Sequence, residues 1–199
     1  MSQVFDTPEV STSETSRRYR WSVADYHRLG DAGILDEDTP VELIDGELVE
    51  MAPIGSPHGG EVKYLIHLFS SLLQGKVIIS AQDPITLGDA SEPQPDLALL
   101  RWRDDFYRQA HPGPEDVRLL IEVANTTTRN DRDLKIPLYA RHGIPEVWLL
   151  DLPQRRLERY LNPEQGEYTQ ISYHRSGQIS PSAFPNIAIQ LTDLFPETQ

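Results

Sequence analysis

The sequence predicts an α/β fold, with a mixed central sheet and helices packed against it. Three features carry that reading. Residues 117–124 and 145–151 are nearly continuous apolar runs, as expected of strands in the buried middle of a sheet. Val62, Leu65, Ile66, Phe69, Leu72 and Leu73 recur at helical spacing. Asp45-Gly46 separates two short alternating segments, a strong hairpin signal.

The elements follow in order. Residues 1–18 are rich in Ser, Thr and Glu without periodicity and read as a disordered tail, leaving 19–199 as one domain. Ser22 with Asp25 three positions on marks a helix start, and Gly30 or Gly33 its stop. Val41-Glu42-Leu43-Ile44 and Glu47-Leu48-Val49-Glu50-Met51 form the arms of the hairpin. Pro57 opens the periodic helix, and Gly75 ends it. Three short β-like runs come next, at residues 77–80, 84–87 and 96–101. Residues 102–116 are charged and carry two prolines, so a loop or short helix is expected. After the strand at 117–124, residues 126–130 are a polar turn into a helix that ends near Gly143. Asp133 is the expected cap of that helix, with Pro137 in its first turn. The strand at 145–151 turns through Asp151-Leu152-Pro153 into 156–160, and 168–194 alternates β-like pieces with Gly and Pro turns.

Composition removes several classes of function. No apolar stretch approaches the roughly 20 residues of a membrane helix, and no basic-then-apolar leader is present. Without cysteine there is neither a disulfide framework nor a thiolate zinc site. A cytoplasmic protein is expected. Phosphate-binding Gly-Lys-Ser/Thr loops, dinucleotide glycine fingerprints, His-Glu-x-x-His and Gly-x-Ser-x-Gly are absent. The formal net charge of −13 counts against binding nucleic acid, since Lys and Arg dominate phosphate contacts. One local exception stands out: Arg129, Arg132, Lys135 and Arg141 outnumber Asp131 and Asp133.

The chemistry concentrates at Asp96, Glu122 and Lys135. Asp96 opens an apolar run after Pro95, and Glu122 lies inside Leu119-Leu120-Ile121-Glu122-Val123. Two such strands side by side would hold two carboxylates at one rim of a sheet, with Lys135 arriving from the next segment. Hard cations such as Mg²⁺ take carboxylate oxygens, and a metal there serves phosphodiester hydrolysis. Taken singly, each residue has a plainer role. Asp96 is a turn residue, Glu122 a partner for Arg129, Arg132 or Lys135, and Lys135 a solvated helix charge. An ionised Glu122 in apolar surroundings nonetheless demands a partner or a metal. Glu42 on the hairpin and His58 at a helix start are secondary candidates. His27, His67, His111, His142 and His174 are scattered without metal-ligand spacing.

Val41 to Glu47, His58-Gly59, Pro95-Asp96-Leu97, Leu120 to Val123, Asp131 to Lys135, Tyr139 and Gly143 to Trp148 occur in the order seen in the Uma-type restriction endonuclease-like family. The chain resembles that family, a branch of the PD-(D/E)XK nuclease superfamily, from about Tyr19 to Asp151. The resemblance implies four or five core strands in a mixed sheet flanked by helices, with metal at a split edge. It makes Asp96 and Glu122 the metal ligands, and the backbone carbonyl of Val123 is expected to join them. The superfamily's usual lysine position holds Ala124 here, so the resemblance points to Lys135 instead. Glu42 becomes the extra upstream acid and His58 the histidine opening the next helix.

The resulting expectation is a Mg²⁺-dependent endonuclease (Mn²⁺ serving as well) acting on DNA, with a homodimer as the plausible assembly. Two rivals stand beside it: a non-catalytic interaction or assembly module, and a metal-dependent hydrolase of a small phosphorylated substrate. The acidic charge favours both over a DNA-cutting enzyme.

Overall fold

The computed structural model describes residues 18–36, 38–125 and 131–195. Its apolar runs form the inner strands of a six-stranded sheet, ordered β3-β4-β5-β6-β7-β8. These are β3 (Val77–Ser80), β4 (Leu97–Arg101), β5 (Val117–Ala124), β6 (Glu146–Asp151), β7 (Arg156–Glu164) and β8 (Glu167–His174). Only β5 and β6 run parallel; the other neighbours are antiparallel, so the sheet is mixed as expected. The long β7–β8 hairpin takes the sheet beyond the four or five strands that the resemblance implied.

Alternation along β5 builds two cores. Leu119, Ile121 and Val123 face α2 (Ser56–Leu72), meeting Val62, Leu65 and Phe69, and Trp148 of β6 packs against Phe69 with ring centroids 6.3 Å apart. Leu120 and Ala124 face the other way, towards α3 (Ile136–Arg141) and the hairpin of β1 (Val41–Ile44) with β2 (Glu47–Glu50). The hairpin turn requires φ near +48° at Asp45 and +76° at Gly46, which the Asp-Gly pair tolerates. The first helix, α1 (Val23–Asp31), starts in a capping box between Ser22 and Asp25. The chain closes through β9 (Gln178–Ile179), β10 (Ile189–Gln190) and α4 (Leu191–Leu194) over the α2 core.

Two local expectations are corrected. Residues 84–87 do not form a strand. Pro84 has no N–H, and the next three amides donate to three separate places: Ile85 to Pro93, Thr86 to Pro112 and Leu87 to Ser91. Ile85 and Leu87 are buried all the same, which explains their β-like pattern. Asp133 does not cap the later helix. It lies inside a π-helical turn (Asp131–Lys135) that runs into α3, and Lys135 takes the cap position with helical backbone angles. The expected tail (apart from Arg18) and the turn at 126–130 lie outside the described residues. Among the described residues, no helix is long and apolar enough to cross a membrane.

Candidate active site

Sheet register brings the two carboxylates together. Leu97 pairs with Ile121 at the end of the antiparallel β4–β5 ladder. One step further, Asp96 comes opposite Glu122. Both share the sheet face of Ala98, Leu120 and Ala124, towards α3 and the hairpin. Asp96 Oδ2 accepts the Val123 N–H at 2.8 Å, where the β4–β5 ladder has just ended. Its Oδ1 lies 2.7 Å from His58 Nε2, and the Gln82 amide reaches the same oxygen at 3.5 Å. His58 belongs to the first turn of α2, next to Pro57, whose missing N–H costs little there.

Glu122 is 1% exposed. Its Oε1 accepts the Tyr139 hydroxyl at 2.5 Å, and Lys135 Nζ stands 3.6 Å away. The same ammonium is 3.3 Å from Glu42 Oε2 and donates to the Gln94 carbonyl at 3.2 Å. Glu42 Oε2 also accepts the Gln94 N–H at 3.0 Å. One lysine therefore sits between two buried acids, one from the hairpin and one from the sheet. Asp96, the third acid, is held by His58 and a backbone amide. Among the described residues, three carboxylates and one lysine meet at this rim, and like charges on adjacent strands repel.

These groups line an open cavity of about 690 Å³. Glu42, His58, Gln82, Gln94, Asp96, Glu122 and Lys135 supply its polar part, and Ile44, Val49, Met51, Ile54 and Leu134 its apolar part. A rim of carboxylate oxygens, open to solvent, suits a hard divalent cation. Asp96, Glu122 and the adjoining backbone of Val123 are the groups that fit one.

All five candidate side chains thus converge on one cavity. Sequence reasoning gave no role to Tyr139, named only among the residues that carry the resemblance, and missed the main chain of Gln94. Tyr139 carried a readable signal, lying four residues after Lys135 and so one helical turn along. Nothing in the sequence marks Gln94, whose carbonyl matters only once the chain has folded.

Of the local basic segment between Arg129 and Arg141, each described cation is paired with a carboxylate. Arg132 forms a fork on Glu158, donating to Oε2 at 3.1 Å and Oε1 at 2.5 Å. Arg141 pairs with Asp45 at 2.6 Å, and Lys135 is engaged as above. Arg129 lies outside the described residues. Of the ion pairs weighed for Glu122, that with Lys135 forms, and Arg132 serves Glu158 instead.

A mixed six-stranded sheet flanked by helices, with acids on adjacent strand ends, is a restriction-endonuclease-like fold. The chain belongs to the Uma2 family, described as "Putative restriction endonuclease", whose profile matches residues 23–192. It is also similar in fold to a solved structure titled as a "putative nuclease belonging to DUF820" from Anabaena variabilis. That likeness has a TM-score of 0.68 at 18% identity and covers 84% of this chain and 96% of the other. No curated protein matches the chain.

Proposed function

We propose that this protein is a Mg²⁺- or Mn²⁺-dependent endonuclease that hydrolyses DNA phosphodiester bonds. The observation that carries the reading is the meeting of Asp96, Glu122, Glu42 and Lys135 at one open cavity. A purely structural ion cluster has no need of such an opening. Family membership supports the same chemistry.

Asp96 and Glu122, with the backbone carbonyl of Val123, would hold the cation. When bound, it supplies charge to the phosphoryl centre and acidifies a coordinated water. The protein's own groups do the rest. His58 and the Val123 amide fix Asp96, and Tyr139 fixes Glu122. Lys135, steered by Glu42 and the Gln94 carbonyl, orients the attacking water and offsets negative charge gathering on the phosphoryl oxygens. A P–O bond forms from water, whose proton passes to a neighbouring base, while the bond to the leaving sugar oxygen breaks and that oxygen takes up a proton from solvent.

A second reading draws on a specific observation. With Arg132, Lys135 and Arg141 committed to carboxylates and a net charge of −13, a small phosphorylated substrate meets less repulsion than a duplex.

Nicking of supercoiled plasmid in Mg²⁺ or Mn²⁺ tests the proposal, run beside bis(p-nitrophenyl) phosphate. Asp96→Ala, Glu122→Ala and Lys135→Ala should each abolish nicking, a loss of roughly 100-fold or more. Turnover of the small ester alone selects the second reading. No turnover of either would leave the fold as an interaction module.

A further inference from the structure

We propose a second cation site, built from His27, Glu92 and His111, that takes a divalent transition ion of the Zn²⁺ type. These residues lie far apart in the chain. In the fold, one ligand atom from each comes within 4.8 Å of the others, the only such His/Cys/Asp/Glu group among the described residues. His27 Nε2 is 2.8 Å from Glu92 Oε1, and the His27 and His111 rings stand 6.3 Å apart. None of the three lines the cavity holding Asp96 and Glu122.

Each ligand comes from a segment tied down independently. His27 rides on α1, which is fastened by the Val23 N–H to Asp89 at 2.7 Å and by the Tyr26 hydroxyl to Val41 at 3.0 Å. Glu92 donates its N–H to Leu43 at 2.7 Å, bridging its segment to β1. His111 is anchored through the neighbouring Pro112 carbonyl, which accepts the Thr86 N–H at 2.9 Å. Such a site needs little reorganisation to bind.

The buried acid is the second argument. Glu92 is 2% exposed, and among the described residues no Lys or Arg pairs with it. Its side chain meets His27 on one oxygen and the Thr86 hydroxyl, at 3.0 Å, on the other. A buried carboxylate supported only by an imidazole and a hydroxyl is poorly compensated. A divalent cation shared with two imidazoles supplies the missing charge. Two histidines and one carboxylate favour Zn²⁺ and its neighbours over Mg²⁺, and leave at least one coordination position open. Thr86 then plays the outer-shell part, orienting the carboxylate. The bound ion would clamp α1 and the loop at 102–116 against the strand that carries Glu42.

Zn²⁺ calorimetry and Co²⁺ absorption on the full chain decide the matter. The wild type should bind Zn²⁺ at this cluster with a rise in Tm, and Co²⁺ should give visible d–d bands of low-symmetry nitrogen and oxygen ligation. His111→Ala alters an exposed side chain, so it should fold normally while losing the bands and the Tm rise. Thr86→Val should weaken binding by roughly 10-fold. Asp96→Asn should leave the bands intact. Wild type that binds no Zn²⁺, or bands that survive His111→Ala and vanish in Asp96→Asn, would overturn the proposal.

Discussion

At the scale of single residues, the site depends on groups that are buried and have few substitutes. Tyr139 donates to a carboxylate that is almost wholly out of water. Tyr139→Phe keeps the ring but withdraws the hydroxyl, and should cost about 1–3 kcal/mol in urea denaturation. Glu61 behaves differently. It is buried on α2 one turn after His58, and among the described residues its Oε1 has no hydrogen-bond partner. Burial pushes its carboxyl up to about 7. The folded state therefore holds this proton more tightly than the unfolded chain. The stability it contributes is complete below the ordinary carboxylate range near 4.5 and is lost as pH rises through about 7. Glu61→Gln should match wild type in acid and exceed it by about 1–3 kcal/mol at pH 8. Thermal melts across that range check the sign. Equal pH slopes in the two proteins would remove Glu61 from the account.

At the scale of elements, the site rests on two supports outside the main sheet. One is the β1–β2 hairpin carrying Glu42. A Cβ at Gly46 would meet the Arg20 Cβ at 2.8 Å and the Trp21 carbonyl at 3.1 Å, with φ already positive. Gly46→Ala should cost about 1–3 kcal/mol in stability, measured by chemical denaturation, and should disturb Lys135 through Glu42. The other support is the π-helical turn before α3, which Arg132 fastens to Glu158. Arg156 and Tyr160 also hold that carboxylate, so Arg132→Ala should cost only about 1–2 kcal/mol in the same measurement. Activity should fall further than stability, because Lys135 loses its anchor.

These elements also mark what the sequence could disclose. Strands 117–124 and 146–151 were readable because burial on both faces leaves a nearly continuous apolar run. The Asp-Gly turn was readable because few residues tolerate its backbone angles. Asp96 and Glu122 stood out as acids interrupting apolar runs, Lys135 as a cation arriving from the next segment, and Glu42 as a hairpin acid to which the family resemblance gave a role. Residues 84–87 misled because burial without a ladder leaves the same apolar pattern as a strand. The π-helical turn misled because Asp133 and Pro137 have the spacing of a cap and a first turn. His27 and His111 gave no signal, since their meeting with Glu92 depends on three tertiary contacts.

At the scale of the whole molecule, charge and cavity pull in different directions. A net charge of −13 lowers affinity for a duplex, whereas carboxylates gathered at one rim raise affinity for a cation. Binding to the folded state alone stabilises it by mass action, so Mg²⁺ at about 100 times its Kd should add about 2.7 kcal/mol. Titrating Tm against Mg²⁺ should show that gain in wild type and not in Asp96→Asn.

The most direct measurement is Mn²⁺ calorimetry in a His111→Ala background, which keeps the histidine cluster silent, comparing Glu122 intact with Glu122→Gln and Asp96→Asn. Binding at the carboxylate rim is expected in the parent and its loss in both variants, each still folded by circular dichroism. Binding that persists undiminished in both variants would contradict it.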